Sequence, residues 1–137
     1  MKPLYNIVAT VTGGRDGKVE SPGLTLALTT PKQLGGPGGD GTNPEQLFAA
    51  GYGACFLSAL KLVARMQKTP VDDASITAEV TLGKTDAGGF QLAAKLRGRF
   101  PGLEREAAEK LMAAAHQVCP YSAATRGNIS VELSVEA

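Results

Sequence analysis

The stretch that decides the fold is Asn43-Pro44-Glu45-Gln46-Leu47-Phe48-Ala49-Ala50-Gly51-Tyr52-Gly53-Ala54-Cys55-Phe56-Leu57-Ser58-Ala59-Leu60. Asn43 is the residue type that caps a helix, Pro44 suits the first helical position, and Gln46 stands where a capping-box partner belongs. Glu45 sits in the first turn, where the helix dipole favours an anion. The pattern predicts a helix running to about Lys68, stopping before Pro70. Residues 47–60 are apolar or small on every side, which predicts a central helix surrounded by protein. Gly51, Gly53, Ala54 and Ser58 are small enough to let another helix approach closely. In a chain of 137 residues a helix buried all round suggests a second subunit. Its uncharged core, residues 46–60, is too short to span a bilayer.

Strand patterns lie on both sides of this helix. Before it, residues 4–12 read as a strand through Leu4, Ile7, Val8 and Val11, and Leu24, Leu26 and Leu28 alternate in a second. Gly13-Gly14-Arg15-Asp16-Gly17 is a turn by composition. Leu34-Gly35-Gly36-Pro37-Gly38-Gly39-Asp40-Gly41 reads either as a flexible loop or as a loop crossing close to a buried site, where glycine admits the backbone. No Gly-Lys-Ser/Thr follows, so it is not a phosphate-binding P-loop. After the helix, Ile76, Ala78, Val80 and Leu82 alternate, as do Phe90, Leu92, Ala94 and Leu96, with residues 83–89 as the hairpin loop. Lys95, Arg97 and Arg99 fall on a solvated face. Leu103, Ala107, Leu111, Ala114 and Val118 keep helical spacing up to Pro120, and Ile129, Val131, Leu133 and Val135 close the chain as a strand. The order β-β-α-β-β-α-β predicts one α+β domain over residues 1–137, with antiparallel sheets, a long central buried helix and a second helix packed on one face.

Composition bounds the function. The chain has 14 Lys and Arg against 13 Asp and Glu, a net charge of +1, with 43% apolar and 20% charged residues. Such a balance is that of a globular core rather than of a disordered chain. It gives no electrostatic reason to bind nucleic acid or an anionic membrane. Without Trp, and with three Tyr and four Phe, a stacking platform for single strands is poorly supported. The start, Met1-Lys2-Pro3-Leu4-Tyr5-Asn6, has no apolar run behind a basic residue and so no visible signal peptide. The expectation is a cytoplasmic protein whose two cysteines, Cys55 and Cys119, stay reduced at rest.

Those two thiols are the main candidates for chemistry. Cys55, in the middle of the apolar helix, has the position of a small core hydrophobe as well as that of a nucleophile. Cys119 follows the second helix, and a helix C-terminus disfavours a thiolate. If one thiol attacks and the other resolves, Cys55 therefore attacks. A thiolate at neutral pH needs a cation. His116, the only histidine, shares the helical face of Cys119. Arg15, in the glycine-rich turn, is the alternative, with a planar donor fork that can hold a thiolate, a peroxide oxygen and a carboxylate. Arg126 is weaker. Glu45 lies ten residues before Cys55, roughly 15 Å along the helix, so it cannot touch the thiol of its own helix. It must orient another group or act across a dimer interface.

Taken together, Gly13-Gly14-Arg15-Asp16-Gly17, Leu34-Gly35-Gly36, residues 41–52, Ala54-Cys55-Phe56, Val118-Cys119-Pro120-Tyr121-Ser122 and Ala124-Thr125-Arg126-Gly127-Asn128-Ile129 resemble the organic hydroperoxide resistance proteins, the Ohr branch of the OsmC/Ohr family. The resemblance spans essentially the whole chain, and the Arg15 turn favours Ohr over OsmC. Ala123 departs from it, because the family commonly has Asn there. The resemblance implies an intertwined homodimer with two sites at the subunit interface. It implies Cys55 as peroxidatic thiol, Cys119 as resolving thiol, and Arg15 with Glu45 as an activating ion pair. It implies a lipoyl dithiol, as dihydrolipoamide or on a lipoylated protein, as external reductant; no bound cofactor and no metal are expected, because thiol and peroxide already hold the electrons.

The expected chemistry is thiolate attack on an organic hydroperoxide, a sulfenic acid at Cys55, and a Cys55–Cys119 disulfide reopened by the dithiol. Phe48, Phe56, Leu57 and the glycine-rich loop are expected to wall the thiol with apolar surface, favouring alkyl or fatty acyl hydroperoxides over hydrogen peroxide. Tyr121 is expected to pack rather than to act as an acid. Three other readings compete: a redox-sensing thiol module that does not turn over, a metal site of Cys55, Cys119 and His116, and a structural dimer without catalysis.

Overall fold

The computed structural model describes residues 1–136. It forms two compact units, Met1–Leu47 and the chain from Phe48 onward. The first holds a three-stranded antiparallel sheet of β1 (Thr10–Thr12), β2 (Lys18–Ser21) and β3 (Leu24–Ala27), in the order β1-β2-β3. The sequence pattern misses β2, because only Val19 of Lys18-Val19-Glu20-Ser21 turns inward. It also overextends the first strand. Leu4, Tyr5, Ile7 and Val8 are exposed and outside any strand, although their alternation suits one.

A single-turn 3-10 helix, Gly14–Asp16, connects β1 to β2. Gly13 and Gly14 have left-handed φ of 75° and 58°, and a Cβ on Gly17 would stand 1.6 Å from the Thr12 carbonyl oxygen. Only glycine fits there. Asp16 fastens the turn by accepting the Thr30 N–H at 3.0 Å and the Thr30 hydroxyl at 2.8 Å. Both bonds hold its carboxyl below the usual carboxylate range. The glycine-rich loop folds back on residues 28–32. A Cβ on Gly36 would lie 2.4 Å from Thr30 Cβ, so close backbone packing accounts for this glycine. An isolated parallel bridge, Leu28 to Thr42, then aims the chain into α1.

Helix α1 (Pro44–Met66) begins in the first unit and continues into the second. Asn43 caps it, its side-chain oxygen accepting the Gln46 N–H at 2.9 Å. The Gln46 side chain takes the Thr42 hydroxyl at 3.1 Å instead of closing a capping box. The helix stops two residues before Lys68, whose φ of 55° is left-handed, and the Thr69 N–H closes on the Ala64 carbonyl. At 23 residues α1 has the length and apolarity of a membrane span. The fold uses it as a core helix, with Tyr52, Phe56, Leu60 and Ala64 fully buried.

The single chain by itself buries one side of α1. Ala50, Ala54, Ser58 and Leu62, four residues apart in turn, form an exposed stripe of small and apolar side chains. The single chain leaves this face uncovered.

In the second unit β4 (Ser75–Lys84) and β5 (Phe90–Arg99) pair antiparallel, and β6 (Val131–Val135) adds parallel to β5. The all-antiparallel expectation thus fails at one pairing. Helix α2 (Arg105–Val118) carries the core face Ala108, Leu111, Met112 and Ala115. That stripe continues onto Cys119, while Val118 faces out. A short helix missed in the sequence, α3 (Pro120–Thr125), follows at once, so Cys119 closes α2 and opens α3.

Candidate active site

The four residues singled out from the sequence assemble as two pairs, one in each unit. In the second unit Cys119 Sγ lies 3.6 Å from Cys55 Sγ. Both are free thiols; Cys55 is half-buried and Cys119 fully buried. The exposed partner is therefore Cys55, on a helix rigidly anchored by Tyr52 and Phe56 to either side of it. Burial pushes the Cys55 thiol above its ordinary value, and the neighbouring Cys119 pushes the same way. The backbone N–H of Tyr121, at the start of α3, donates toward the Cys55 sulfur and favours its charged form.

In the first unit Arg15 and Glu45 form a bidentate pair, with Arg15 Nη1 donating to Oε2 at 2.8 Å and Nη2 to Oε1 at 2.6 Å. The hydrogen bond from Arg15 holds the Glu45 carboxyl below its ordinary value, and Glu45 in turn keeps the guanidinium protonated. The glycine turn and Asp16 position Arg15 from one side, and the helix cap positions Glu45 from the other.

The alternative partners go elsewhere. His116 Nδ1 lies 2.8 Å from Ser122 Oγ, and Arg126 donates to the His116 carbonyl. Burial, with the Arg126 charge, holds the His116 pKa below its ordinary value. Among the described residues no three His, Cys, Asp or Glu side chains converge to hold a metal ion. Tyr121 packs on Tyr52, ring centroids 5.8 Å apart, and Phe48 meets Tyr52 edge-on at 5.9 Å. Phe56 is a core residue rather than a wall. Leu57 does line a cleft of about 370 Å³, with Ala49, Ala50, Gly53, Ala54, Ile76 and Ala78.

Sequence reasoning missed the buried hydroxyls around Cys119. Tyr52 Oη is 3.0 Å from Ser122 Oγ and 2.9 Å from Thr125 Oγ1. The only sequence signal was the polar run Tyr121-Ser122 and Thr125 beside the cysteine.

The family model for OsmC-like protein matches residues 36–134. The chain belongs to the OsmC/Ohr family, on its Ohr branch. An organic hydroperoxide resistance protein of Xanthomonas axonopodis pv. citri is 50% identical, over 98% of this chain and 96% of its own. Organic hydroperoxide resistance protein OhrA of Bacillus subtilis is 45% identical, over 98% and 97%. A crystal structure of an organic hydroperoxide resistance protein from Legionella pneumophila superimposes with a TM-score of 0.93 at 51% identity, covering 99% of this chain and all of the other.

Proposed function

We propose that this chain is a cysteine-based peroxidase that reduces organic hydroperoxides to alcohols. The observation that carries the proposal is the 3.6 Å approach of a half-buried thiol, Cys55, to a buried one, Cys119. The names of its relatives, organic hydroperoxide resistance protein, support the substrate class.

In the proposed cycle the Cys55 thiolate attacks the outer oxygen of R–O–O–H. The O–O bond breaks, Cys55 becomes a sulfenic acid, and an alkoxide leaves and takes a proton to become the alcohol. Cys119 then attacks the sulfenic sulfur, forming the Cys55–Cys119 disulfide and releasing water. A small dithiol of the lipoyl class exchanges with that disulfide, restores both thiols and leaves as its own cyclic disulfide.

Burial pushes the Cys55 thiol above its ordinary value, so a thiolate there needs a cation. The proposal therefore assigns Arg15 to supply the charge that ionises the thiol and steadies the alkoxide, and Glu45 to hold that guanidinium in place. The working form is a homodimer. Its support is the uncovered α1 stripe of the second unit and, in the first unit, the exposed apolar side chains of Leu4, Tyr5, Ile7 and Val8, apolar surface of the kind that marks an interaction site. A second copy along the α1 stripe closes the Leu57 cleft into an apolar pocket suited to an alkyl chain.

The test is a competition assay. Reduced wild type and Cys55→Ser are offered an organic hydroperoxide and hydrogen peroxide, first with dihydrolipoamide and then with glutathione. The proposal expects preferential loss of the organic peroxide, driven by dihydrolipoamide and absent in Cys55→Ser. Equal use of both peroxides, or turnover in Cys55→Ser, contradicts it.

A further inference from the structure

We propose that the buried hydroxyl chain linking His116, Ser122, Tyr52 and Thr125 positions Cys119 for the resolving step; this inference rests on the peroxidase reading above. Tyr52 and Ser122 are fully buried and Thr125 nearly so. Buried hydroxyls cost free energy unless each finds a partner, and among the described residues no buried side-chain polar atom lacks one.

Counting protons fixes the direction of the chain. Thr125 Oγ1 donates to the Ser122 carbonyl at 3.2 Å, so at its 2.9 Å contact with Tyr52 it must accept, and Tyr52 Oη donates. Tyr52 has then spent its one proton and accepts from Ser122 Oγ at 3.0 Å. Ser122 has spent its proton too, so at 2.8 Å it accepts from His116 Nδ1–H. Each hydroxyl gives one proton and takes one, and the arrangement requires the His116 tautomer protonated at Nδ1.

The chain joins three helices at the two sulfurs. Tyr52 lies three residues before Cys55 on α1, His116 three before Cys119 on α2, and Ser122 and Thr125 on α3, which Cys119 opens. A satisfied polar network fixes one arrangement where apolar packing tolerates several. That matters because the sulfurs must close from 3.6 Å to about 2.05 Å. A reacting pair out of place by about 1 Å can lose roughly a hundredfold in rate.

Resolution has a competitor. Cys55–SOH with Cys119–SH gives the disulfide and water; Cys55–SOH with a second R–O–O–H gives the sulfinic acid and R–OH. The network sets that partition.

The experiment exposes reduced protein to excess organic hydroperoxide without reductant, and measures Cys55 sulfinic acid against Cys55–Cys119 disulfide by peptide mass. Wild type is expected to give mainly disulfide. Ser122→Ala and His116→Leu are expected to raise the sulfinic-to-disulfide ratio about tenfold or more. His116→Asn, whose amide can donate from the Nδ1 position, is expected to return toward wild type, which mere loss of packing does not explain. Tyr52→Phe keeps the ring and should shift the ratio in the same direction if Ser122→Ala fails to fold. A folded Tyr52→Phe or His116→Leu at the wild-type ratio overturns the inference while leaving the peroxidase reading standing. A wild type that forms neither alcohol nor disulfide overturns both.

Discussion

Cys55 and Cys119 are 64 residues apart in the chain and 3.6 Å apart at their sulfurs. That is near van der Waals contact between two thiols, against the roughly 2.05 Å of a disulfide bond. Their unequal burial, Cys55 half-buried and Cys119 fully buried, fits the proposed roles without reference to helix electrostatics. Cys119→Ser is accordingly expected to stop after the first step. Cys55 sulfenic acid should accumulate and be trapped by a 1,3-dicarbonyl reagent, and dithiol-driven turnover should fall at least about tenfold. Undiminished turnover would remove Cys119 from the cycle.

The Arg15–Glu45 pair sits in a turn and at a helix start, where its loss leaves the apolar core untouched. Arg15→Ala is expected to slow the reaction of Cys55 with organic hydroperoxide by about a hundredfold or more, with the thermal unfolding midpoint little changed. Arg15→Lys should recover only part of this, since an ammonium cannot reproduce the bidentate fork. Glu45→Gln should act in the same direction but less. Stopped-flow rates under single-turnover conditions measure all three.

Acid should weaken the fold through groups whose pKa values are depressed in the native state, Asp16, Glu45 and His116. The Glu45 carboxyl is held down by Arg15, so its contribution is present above the unfolded carboxylate value and lost as pH falls through the lower folded one. Neutral His116 is favoured by burial. Between about pH 6.5 and its lower folded value the unfolded chain binds the extra proton, and stability drops with pH. Denaturant titrations across this range should show Glu45→Gln removing some of the more acidic part of the slope, Asp16 retaining the rest, and His116→Asn removing the part just below neutrality.

Gly98, on β5, should resist any side chain. A Cβ there would stand 2.5 Å from Phe100 Cε2 and 2.7 Å from Met112 Sδ, and both neighbours are packed in the core. Gly98→Ala is expected to cost about 1–3 kcal/mol of stability, read by denaturant unfolding. The thiol chemistry should survive in the folded fraction.

The uncovered α1 stripe makes its own prediction. Ala54→Glu puts a charge on the face assigned to a second copy, and it should shift the protein from dimer to monomer in sedimentation and lower peroxidase activity with it. Wild type that sediments as a monomer would remove the dimer from the account.

The sequence made the elements with strong internal periodicity legible. The alternation of Ile76, Ala78, Val80 and Leu82 against Phe90, Leu92, Ala94 and Leu96 gives β4 and β5 within two or three residues, and Asn43 marks the start of α1. What failed depends on non-local partners. The alternation in residues 4–9 predicts a strand that finds no strand partner among the described residues. The strand β2 carries too few apolar residues to announce itself, and the parallel pairing of β6 is set by packing between distant segments. The four candidate residues, Arg15, Glu45, Cys55 and Cys119, stand out as spelling and fall into two pairs. The hydroxyl chain does not, because Tyr52, Ser122 and Thr125 gain meaning only when α1 and α3 meet.

The central claim is that Cys55 cuts the O–O bond of an organic hydroperoxide. Its most direct test mixes reduced wild type and Cys55→Ser with one equivalent of an organic hydroperoxide, without reductant, and measures alcohol released alongside the cysteine peptides. The account predicts one alcohol and one Cys55–Cys119 disulfide per site in wild type, and neither in Cys55→Ser. Alcohol release at the wild-type rate from Cys55→Ser, or wild type left with both thiols reduced, would contradict it.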